Sequence, residues 1–207
     1  LLGFIKMGAK APAPDQALSY SAEILRQATE GTPEAEKVRA LDTYLVTVSE
    51  HGMNASTFCG RVTCSTGATR VDSTLAALSA LSGPLHGGAP GPVLDLLDEL
   101  TDRTDIKERL TEKVRAGERL MGFGHRVYRT RDPRAQVLQK AIRSLCPSES
   151  LLHAENVERL ATEVLADLKP HRPLHTNVEF YTAVLLHELG FERSWFTTLF
   201  ASGRILG

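Results

Sequence analysis

This sequence has few cysteines, no long apolar run and no segment that resembles a signal peptide. Its three cysteines, Cys59, Cys64 and Cys146, lack CxxC spacing. An odd and small number argues against a disulfide framework, so we expect three buried hydrophobic thiols in a reducing compartment. No apolar stretch reaches the roughly 18 residues of a membrane span. We therefore expect a soluble, cytoplasmic protein that does not contact a membrane.

The chain also lacks an excess of charge of either sign. It has 24 Lys and Arg against 25 Asp and Glu, and its net charge is −1 over 207 residues. This balance gives no reason to expect nucleic acid as a partner, and any anionic ligand has to be held by local clusters of charge. The sequence begins at Leu1 rather than Met, so we expect it to be a piece of a longer protein.

Apolar residues recur at intervals of three and four along most of the chain, which predicts amphipathic helices. These stripes lie at 38–48, 75–81, 93–100, 106–114, 137–145, 150–169 and 178–189. The predicted helix starts are at Pro92, Thr104 and either Thr176 or Asn177, and the predicted ends are at Gly117, Pro147, Pro170 and Gly190. Only short β-branched segments such as Val62-Thr63 resemble a β-strand. The predicted fold class is therefore mostly α.

Several familiar functional motifs are incomplete or absent in this sequence. Residues 122–124 form only part of GxGxxG and follow no predicted strand, which argues against a dinucleotide site. His171 and His175 have a zinc-like spacing, but Pro173 breaks the helix that would align them, and His187 lacks the second histidine of HExxH. No GxxxxGK[ST] loop or GxSxG elbow occurs. The sequence thus predicts no metal site.

Three loop histidines, one acid and a group of arginines remain. His51, His86 or His125 taken singly would be a solvated histidine, and Glu179 alone would be an ordinary acid in a first helical turn. The arginines of 126–134 alone would form a solvated face. Together they indicate chemistry, because glycines beside two of the histidines allow a ligand to approach closely and a helix start favours an ionised base.

Five segments of the chain closely resemble the citrate synthase family. They are 51–57 (HGMNAST), 83–89 (GPLHGGA), 122–128 (GFGHRVY) with 132–134 (DPR), 177–181 (NVEFY) and 202–204 (SGR). Their order and spacing match, most nearly those of bacterial members. The resemblance extends from about residue 35 to the last residue. Five ordered motifs are far more specific than any one of them.

The resemblance implies three catalytic residues. His86 would hydrogen-bond the thioester carbonyl of acetyl-CoA as the enol forms, and His125 would polarise and protonate the ketone of oxaloacetate. Glu179 stands where the family usually has an aspartate base. A methyl group beside a thioester is a weak carbon acid, so a carboxylate removes its proton only if a donor stabilises the forming enolate.

The resemblance also implies binding residues for both substrates. His51, His125, Arg134 and Arg204 would hold oxaloacetate, a dianion for which bidentate arginines are a natural clamp. Coenzyme A would lie along Met121, Gly122, Phe123 and Gly124, with Arg129 meeting a phosphate. The coenzyme A thioester is a substrate, and no other cofactor is expected.

This sequence departs from the family pattern in three places. Glu179 is one methylene longer than aspartate and would move the carboxylate by over an ångström on a fixed backbone, roughly the displacement that can cost about 100-fold in rate. Ser202 and Gly203 precede Arg204 where the family more often has alanine. The chain ends at Gly207, whereas family members continue to an arginine that enters the neighbouring subunit's site, and they also have a longer N-terminal part.

The family fold is a helical large domain with a smaller helical domain inserted. On that pattern, residues 1–87 and 191–207 form part of the large domain and 88–190 form the small one. His86 would then sit at the hinge, and Glu179 would face it across the cleft. Family members are homodimers or hexamers built from dimers.

Four functions stay open at this stage. The first is citrate synthase, a transferase of the tricarboxylic acid cycle that joins acetyl-CoA to oxaloacetate. A 2-methylcitrate synthase would take propionyl-CoA with nearly the same residues, and a citryl-CoA lyase would run related chemistry in the cleaving direction. A non-catalytic relative that binds CoA or carboxylates, or an inactive fragment, is the alternative of another class.

Overall fold

The computed structural model describes residues 13–29, 31–83, 86–87, 90–125, 128–145 and 149–205. The helices in these ranges are α1 (Tyr20–Thr29), α2 (Ala35–Val48), α3 (Ala55–Ser65), α4 (Arg70–Leu81), α5 (Pro90–Leu100), α6 (Ile106–Arg115), α7 (Pro133–Leu145), α8 (Glu149–Leu168), α9 (Val178–Glu188) and α10 (Phe196–Arg204). A short 3₁₀ helix, Arg193–Trp195, precedes α10. Strand-like pairing in the described residues is limited to one bridge between Phe123 and Thr176. The predicted mostly α fold is confirmed.

The helix ends follow the chemistry that the sequence predicts. Gly117 and Gly190 have φ angles of +82° and +84°, and each lies one residue past a helix C-cap. Glycine adopts this left-handed conformation without the steric penalty of a side chain, so it ends a helix cleanly. Of the two candidates for the start of α9, Asn177 is the cap: its side chain accepts a hydrogen bond from the Glu179 N–H.

Two predicted helix starts are wrong by one or two residues. Helix α5 begins at Pro90 rather than Pro92, and Pro92 falls in its first turn, where a missing N–H removes no helical hydrogen bond. The N-cap of α6 is Asp105, not Thr104, and it makes no side-chain capping bond. Pro147 lies outside the described residues.

Three assignments of individual residues are also wrong. Val62-Thr63 is helical within α3, because tertiary packing overrides a weak β-propensity. In the apolar stripe predicted over 150–169, Leu152 is wrong, since it is 65% exposed and Leu151 is buried instead, whereas Val164 is buried as predicted. Cys64 is exposed rather than buried, whereas Cys59 is partly buried and Cys146 lies outside the described residues. Helices α1, α3 and α10 had no predicted counterpart.

Helix α9 lies at the centre of the core. Every residue from 178 to 186 except Glu179 is buried, which is why this segment is apolar on all sides. It packs against α2, α5, α7 and α8, while α2 also packs against α1, α7 and α10. The start of α9, the end of α2 and the start of α7 therefore meet in one region.

Helices α3 and α4 pack mainly against each other. Their contact is close at Gly60, where an added Cβ would lie 3.3 Å from the Ala77 Cβ. Only Ser56 of α3 and Leu81 of α4 are buried, so this pair presents a largely exposed apolar surface.

The division into two domains at 87/88 and 190/191 stays a prediction. Among the helices of the described ranges, none combines the length and apolar character that a membrane crossing requires.

Candidate active site

His51, His125 and Arg134 lie together where three segments of the chain meet. His51 follows α2, His125 lies in the loop before α7, and Arg134 is in the first turn of α7. The two imidazole rings pack edge to face, with centroids 5.2 Å apart. Arg134 Nη1 is 3.4 Å from His51 Nδ1, and Arg134 Nη2 is 3.3 Å from His125 Nε2. The fold thus brings together three of the four residues predicted to bind oxaloacetate.

Asp132 fixes the Arg134 guanidinium. Its carboxylate, which is fully buried, accepts hydrogen bonds from Arg134 Nε at 3.1 Å and Nη2 at 2.8 Å. It also accepts from the Val178 N–H at 3.2 Å, which joins the start of α7 to the start of α9. Burial works to raise the pKa of Asp132, but the hydrogen bonds and charge of Arg134 hold this pKa below its ordinary value. The guanidinium is therefore held in one orientation.

The shorter hydrogen bond of His125 favours one position for its ring proton, although Arg134 Nη2, which is also a donor, lies 3.3 Å from Nε2. His125 Nδ1 accepts from the Tyr128 N–H at 3.0 Å, so a neutral ring has its proton on Nε2. Burial, with the positive charge of Arg134, lowers the pKa of His125 and keeps the ring neutral at pH 7. The Nε2–H of His125 and the N–H groups of Arg134 are then donors that converge, as an oxyanion site requires.

His86 lies after α4 and contacts α3. Its Nε2 is 2.7 Å from the Oγ of Ser56, which is buried in the first turn of α3. Burial, with the charge of Arg204, lowers the pKa of His86, so this ring is also neutral at pH 7. When the Ser56 hydroxyl donates to Nε2, the ring proton is on Nδ1, and Nδ1 becomes a donor.

Glu179 lies in the first turn of α9, next to this cluster. Burial raises the pKa of Glu179 from 4.5 to about 7, although Arg134 and Arg204 act to lower it and Asp132 adds to the increase. A carboxyl group with a pKa near the working pH can both take up and release a proton. The sequence predicts an acid kept ionised by the helix start, but burial has the larger effect on the pKa of Glu179.

Arg204 is buried at the end of α10. Its Nε donates a hydrogen bond of 2.5 Å to the Val48 carbonyl at the end of α2, and its guanidinium lies 4.7 Å from the centroid of the Phe200 ring. Burial lowers the pKa of Arg204, and the positive charge of Arg134 acts in the same direction. The two guanidinium groups repel each other, and an anion bound between them would offset this repulsion.

The segment predicted to contact coenzyme A is tied to the start of α9. Asn177 donates from its backbone N–H to the Gly122 carbonyl at 2.9 Å and from Nδ2 to the Gly124 carbonyl at 2.8 Å. Gly124 donates in turn to the His175 carbonyl at 2.7 Å. Phe123 is buried, while Met121 is partly buried.

Arg129 stands apart from the cluster. It lies in the loop between His125 and α7 and is exposed. Three residues make contacts at the site that the sequence does not predict: Ser56, Asp132 and Asn177, of which the sequence predicts Asn177 only as a candidate cap of α9. The sequence does indicate a capping role for Asp132 and Asn177, since an Asp or Asn just before a helix start typically accepts hydrogen bonds from the first N–H groups of the helix.

Within the described ranges, no cluster of three or more His, Cys, Asp or Glu side chains is arranged to hold a metal ion.

Comparison with known proteins agrees with the motifs. The family model described as citrate synthase, C-terminal domain, matches residues 4–207. The chain belongs to the citrate synthase family. A protein of the citrate synthase type from Mycobacterium tuberculosis is 44% identical over 179 residues, which cover 86% of this chain and 48% of that protein.

Solved citrate synthases have the same fold. The crystal structure of citrate synthase from Thermotoga maritima superposes with a TM-score of 0.86 at 33% identity, covering 100% of this chain and 57% of that one. The Thermoplasma acidophilum citrate synthase, solved as a ternary complex with carboxymethyl coenzyme A and oxaloacetate, gives a TM-score of 0.84 at 30% identity over 98% of this chain and 54% of that one. The chain thus spans about half the length of the citrate synthase family members it matches.

Proposed function

We propose that this chain carries catalytic residues of a citrate synthase, which condenses acetyl-CoA with oxaloacetate and hydrolyses the product to citrate and CoA. The observation that carries the proposal is the convergence of a neutral His125, Arg134 and the Glu179 carboxyl at the start of α9. This arrangement pairs a base whose pKa is about 7 with donors for a negatively charged substrate.

Oxaloacetate is bound by the arginines and two histidines. Arg134, oriented by Asp132, meets one carboxylate, and Arg204, held by the Val48 carbonyl, meets the other. His51 donates to the same substrate, and His125 Nε2–H donates to the ketone oxygen. Arg204 is buried and the Arg134 side chain is 14% exposed, so limited access of water strengthens the interactions that these two arginines make.

Glu179 and His86 then generate the nucleophile from acetyl-CoA. The Glu179 carboxylate removes a proton from the methyl group while His86 Nδ1–H donates to the thioester oxygen, which gains negative charge. The methyl carbon attacks the ketone carbon and forms the new C–C bond. The ketone oxygen takes its proton from His125, and water subsequently cleaves the thioester to give citrate and CoA.

The loop at 121–124 holds the coenzyme. Asn177 fixes the backbone of this loop and also caps α9, the helix that carries Glu179. Asn177 therefore supports both the binding of the adenine and the placement of the base. Arg129, exposed on the next loop, meets a phosphate. Closure of the two proposed domains over both substrates would exclude water during condensation.

Release of CoA thiol from acetyl-CoA and from propionyl-CoA, each with oxaloacetate, tests the proposal on the full-length protein. We expect kcat/KM to be higher for acetyl-CoA by about tenfold or more, the usual effect of one methylene in an apolar pocket. Thiol release without oxaloacetate is the control and should be negligible. A preference for propionyl-CoA would identify a 2-methylcitrate synthase, and inactivity with both thioesters alongside tight CoA binding would identify a non-catalytic relative.

We also propose that the protein is a homo-oligomer, a dimer or an assembly of dimers. The support is the outer surface of the α3–α4 pair, where Phe58 is 63% exposed and Leu75 is 55% exposed. Other exposed apolar side chains on the same two helices are Val62, Val71 and Leu78. Contiguous apolar surface of this kind marks a contact with another protein surface, and a second copy would cover it.

A further inference from the structure

The Tyr44 hydroxyl is buried without a hydrogen-bond partner among the described residues. Tyr44 lies on α2 and is 0% exposed. Thr182 Oγ1 is the other buried side-chain atom in this condition within those ranges. A buried polar group without a partner reduces the free energy of unfolding, and phenylalanine would fill the same space without that loss. Such a hydroxyl calls for a functional explanation.

Tyr44 is close to the proposed catalytic groups. One turn further along α2, the Val48 carbonyl accepts the hydrogen bond from Arg204, and α2 packs directly against α7, α9 and α10. Burial raises the pKa of Tyr44 well above its usual value, the Glu179 charge raises it further, and Arg204 acts in the opposite direction. The phenol therefore keeps its proton and is a donor that lacks an acceptor.

Asp132 and Arg204, which together with Arg134 act electrostatically on Glu179, already have partners. Asp132 accepts from Arg134, and Arg204 donates to the Val48 carbonyl. On α5, Asp95 and Asp98 pair with Arg193, and Glu99 pairs with Arg109 and Lys113. On α8, Glu158 accepts from Arg131 and Tyr181.

We propose that Tyr44 is a positioning residue for the catalytic base, whose hydroxyl donates a hydrogen bond to the Glu179 carboxylate when that group is ionised. This inference rests on the proposed role of Glu179 as the base. Glutamate has one more rotatable bond than the aspartate usual in the family, so its carboxylate can turn toward α2. The bond would hold the longer side chain in one orientation, and the buried hydroxyl would gain its acceptor.

Titration of Glu179 by infrared spectroscopy tests the proposal without any need for turnover. The C=O stretching band of the protonated carboxyl is the band that Glu179→Gln removes, and its intensity follows protonation as the pH changes. In Tyr44→Phe we expect its midpoint to rise by about one pH unit, the tenfold effect typical of a hydrogen bond to a charged group. Thr182→Val, which removes the other unpartnered hydroxyl, is the matched control and should leave the midpoint unchanged. An unchanged midpoint in Tyr44→Phe would overturn the proposal.

Kinetics of the full-length protein give a second readout. The acidic limb of the kcat profile should move up by the same amount in Tyr44→Phe, so kcat at pH 7 should fall about fivefold with little change in the KM for oxaloacetate. Failure of the proposed function is distinguishable, since the wild type would then show no turnover while the infrared midpoints still report on Tyr44. A lower kcat with an unmoved pH profile would assign Tyr44 a packing role only.

A second variant keeps the inference testable if Tyr44→Phe does not fold. A ring-fluorinated tyrosine at position 44 retains the hydroxyl and the shape but is a stronger hydrogen-bond donor. We expect it to move the Glu179 midpoint to lower pH, opposite to the effect of phenylalanine. No shift, or a shift to higher pH, would contradict the proposed bond.

Discussion

Glu179 combines a proposed role as the catalytic base with a large effect of burial on its pKa. Replacing it with glutamine keeps the shape and removes the basic oxygen. We expect Glu179→Gln to lower kcat by about two to four orders of magnitude, the usual range for a general base. Oxaloacetate binding, measured by calorimetry, should change little because Arg134 and Arg204 remain. Near-normal turnover would remove Glu179 as the base.

The same residue makes stability depend on pH. Its pKa is about 7 in the folded protein against an ordinary 4.5, so folding favours the protonated form. The contribution to stability is present in full below pH 4.5 and is lost as the pH rises through 7. Glu179→Gln should thus be more stable than wild type by about 2 kcal/mol at pH 8, allowing for contact of the partly exposed carboxyl with water, and about equal at pH 4.

Urea unfolding at the two pH values measures this difference. Glu163→Gln is a control of opposite sign, because the hydrogen bonds from Lys107 and Arg159 lower the pKa of this exposed carboxyl. The Glu163→Gln variant should lose stability relative to wild type as the pH rises. A constant difference between Glu179→Gln and wild type from pH 4 to pH 8 would show that the carboxyl is not buried from water.

At the scale of elements, Asn177 performs two tasks. Its Oδ1 caps α9 by accepting from the Glu179 N–H at 3.0 Å, and its Nδ2 holds the Gly124 carbonyl at 2.8 Å. We expect Asn177→Ala to reduce the free energy of unfolding by about 1–2 kcal/mol and to raise the KM for the CoA thioester. Asn177→Asp keeps the cap but loses the donor, so it should raise the KM with a smaller loss of stability. Equal effects of both substitutions on stability would argue against a separate role in holding the loop.

The turn at Gly122 allows no side chain. Its φ angle is +85°, and an added Cβ would lie 2.9 Å from Phe180 Cδ2 in the core. Gly117 has a similar φ of +82°, but nothing lies within 4 Å of its added Cβ. We expect Gly117→Ala to cost about 1 kcal/mol from backbone strain alone and Gly122→Ala about 1–3 kcal/mol more from overpacking. Equal melting temperatures for the two variants would contradict this difference.

At the scale of the whole molecule, the apolar surface of α3 and α4 governs the proposed assembly. A charge in the middle of a buried apolar contact is unfavourable, so Leu75→Glu should shift the protein from dimer to monomer. Leu152→Glu, which places the same charge on an exposed leucine of α8, is the matched control and should leave the mass unchanged. Sedimentation of the full-length protein measures both, and a dimeric Leu75→Glu would place the contact elsewhere.

Prediction from the sequence succeeded where the signal is local. Gly117, Gly190 and Asn177 end or begin helices because their backbone and side-chain chemistry acts within one turn. It failed for Leu152, where packing against other helices selects which face of α8 is buried, and for Val62-Thr63, which is helical and belongs to the α3–α4 pair. Helix α3 has no counterpart in the prediction because its apolar residues are exposed and form no buried stripe.

The sequence by itself determined the mostly α fold, the helix ends and the family, because periodicity, capping residues and ordered motifs are all read along the chain. Only the tertiary structure decided that His51, His125 and Arg134 converge, that Asp132 and Asn177 support them, and that the pKa of Glu179 rises to about 7. Those properties depend on burial and on contacts between residues far apart in sequence, which no local pattern encodes. The unpartnered Tyr44 hydroxyl belongs to the same class, since only packing of α2 against α7, α9 and α10 removes it from water.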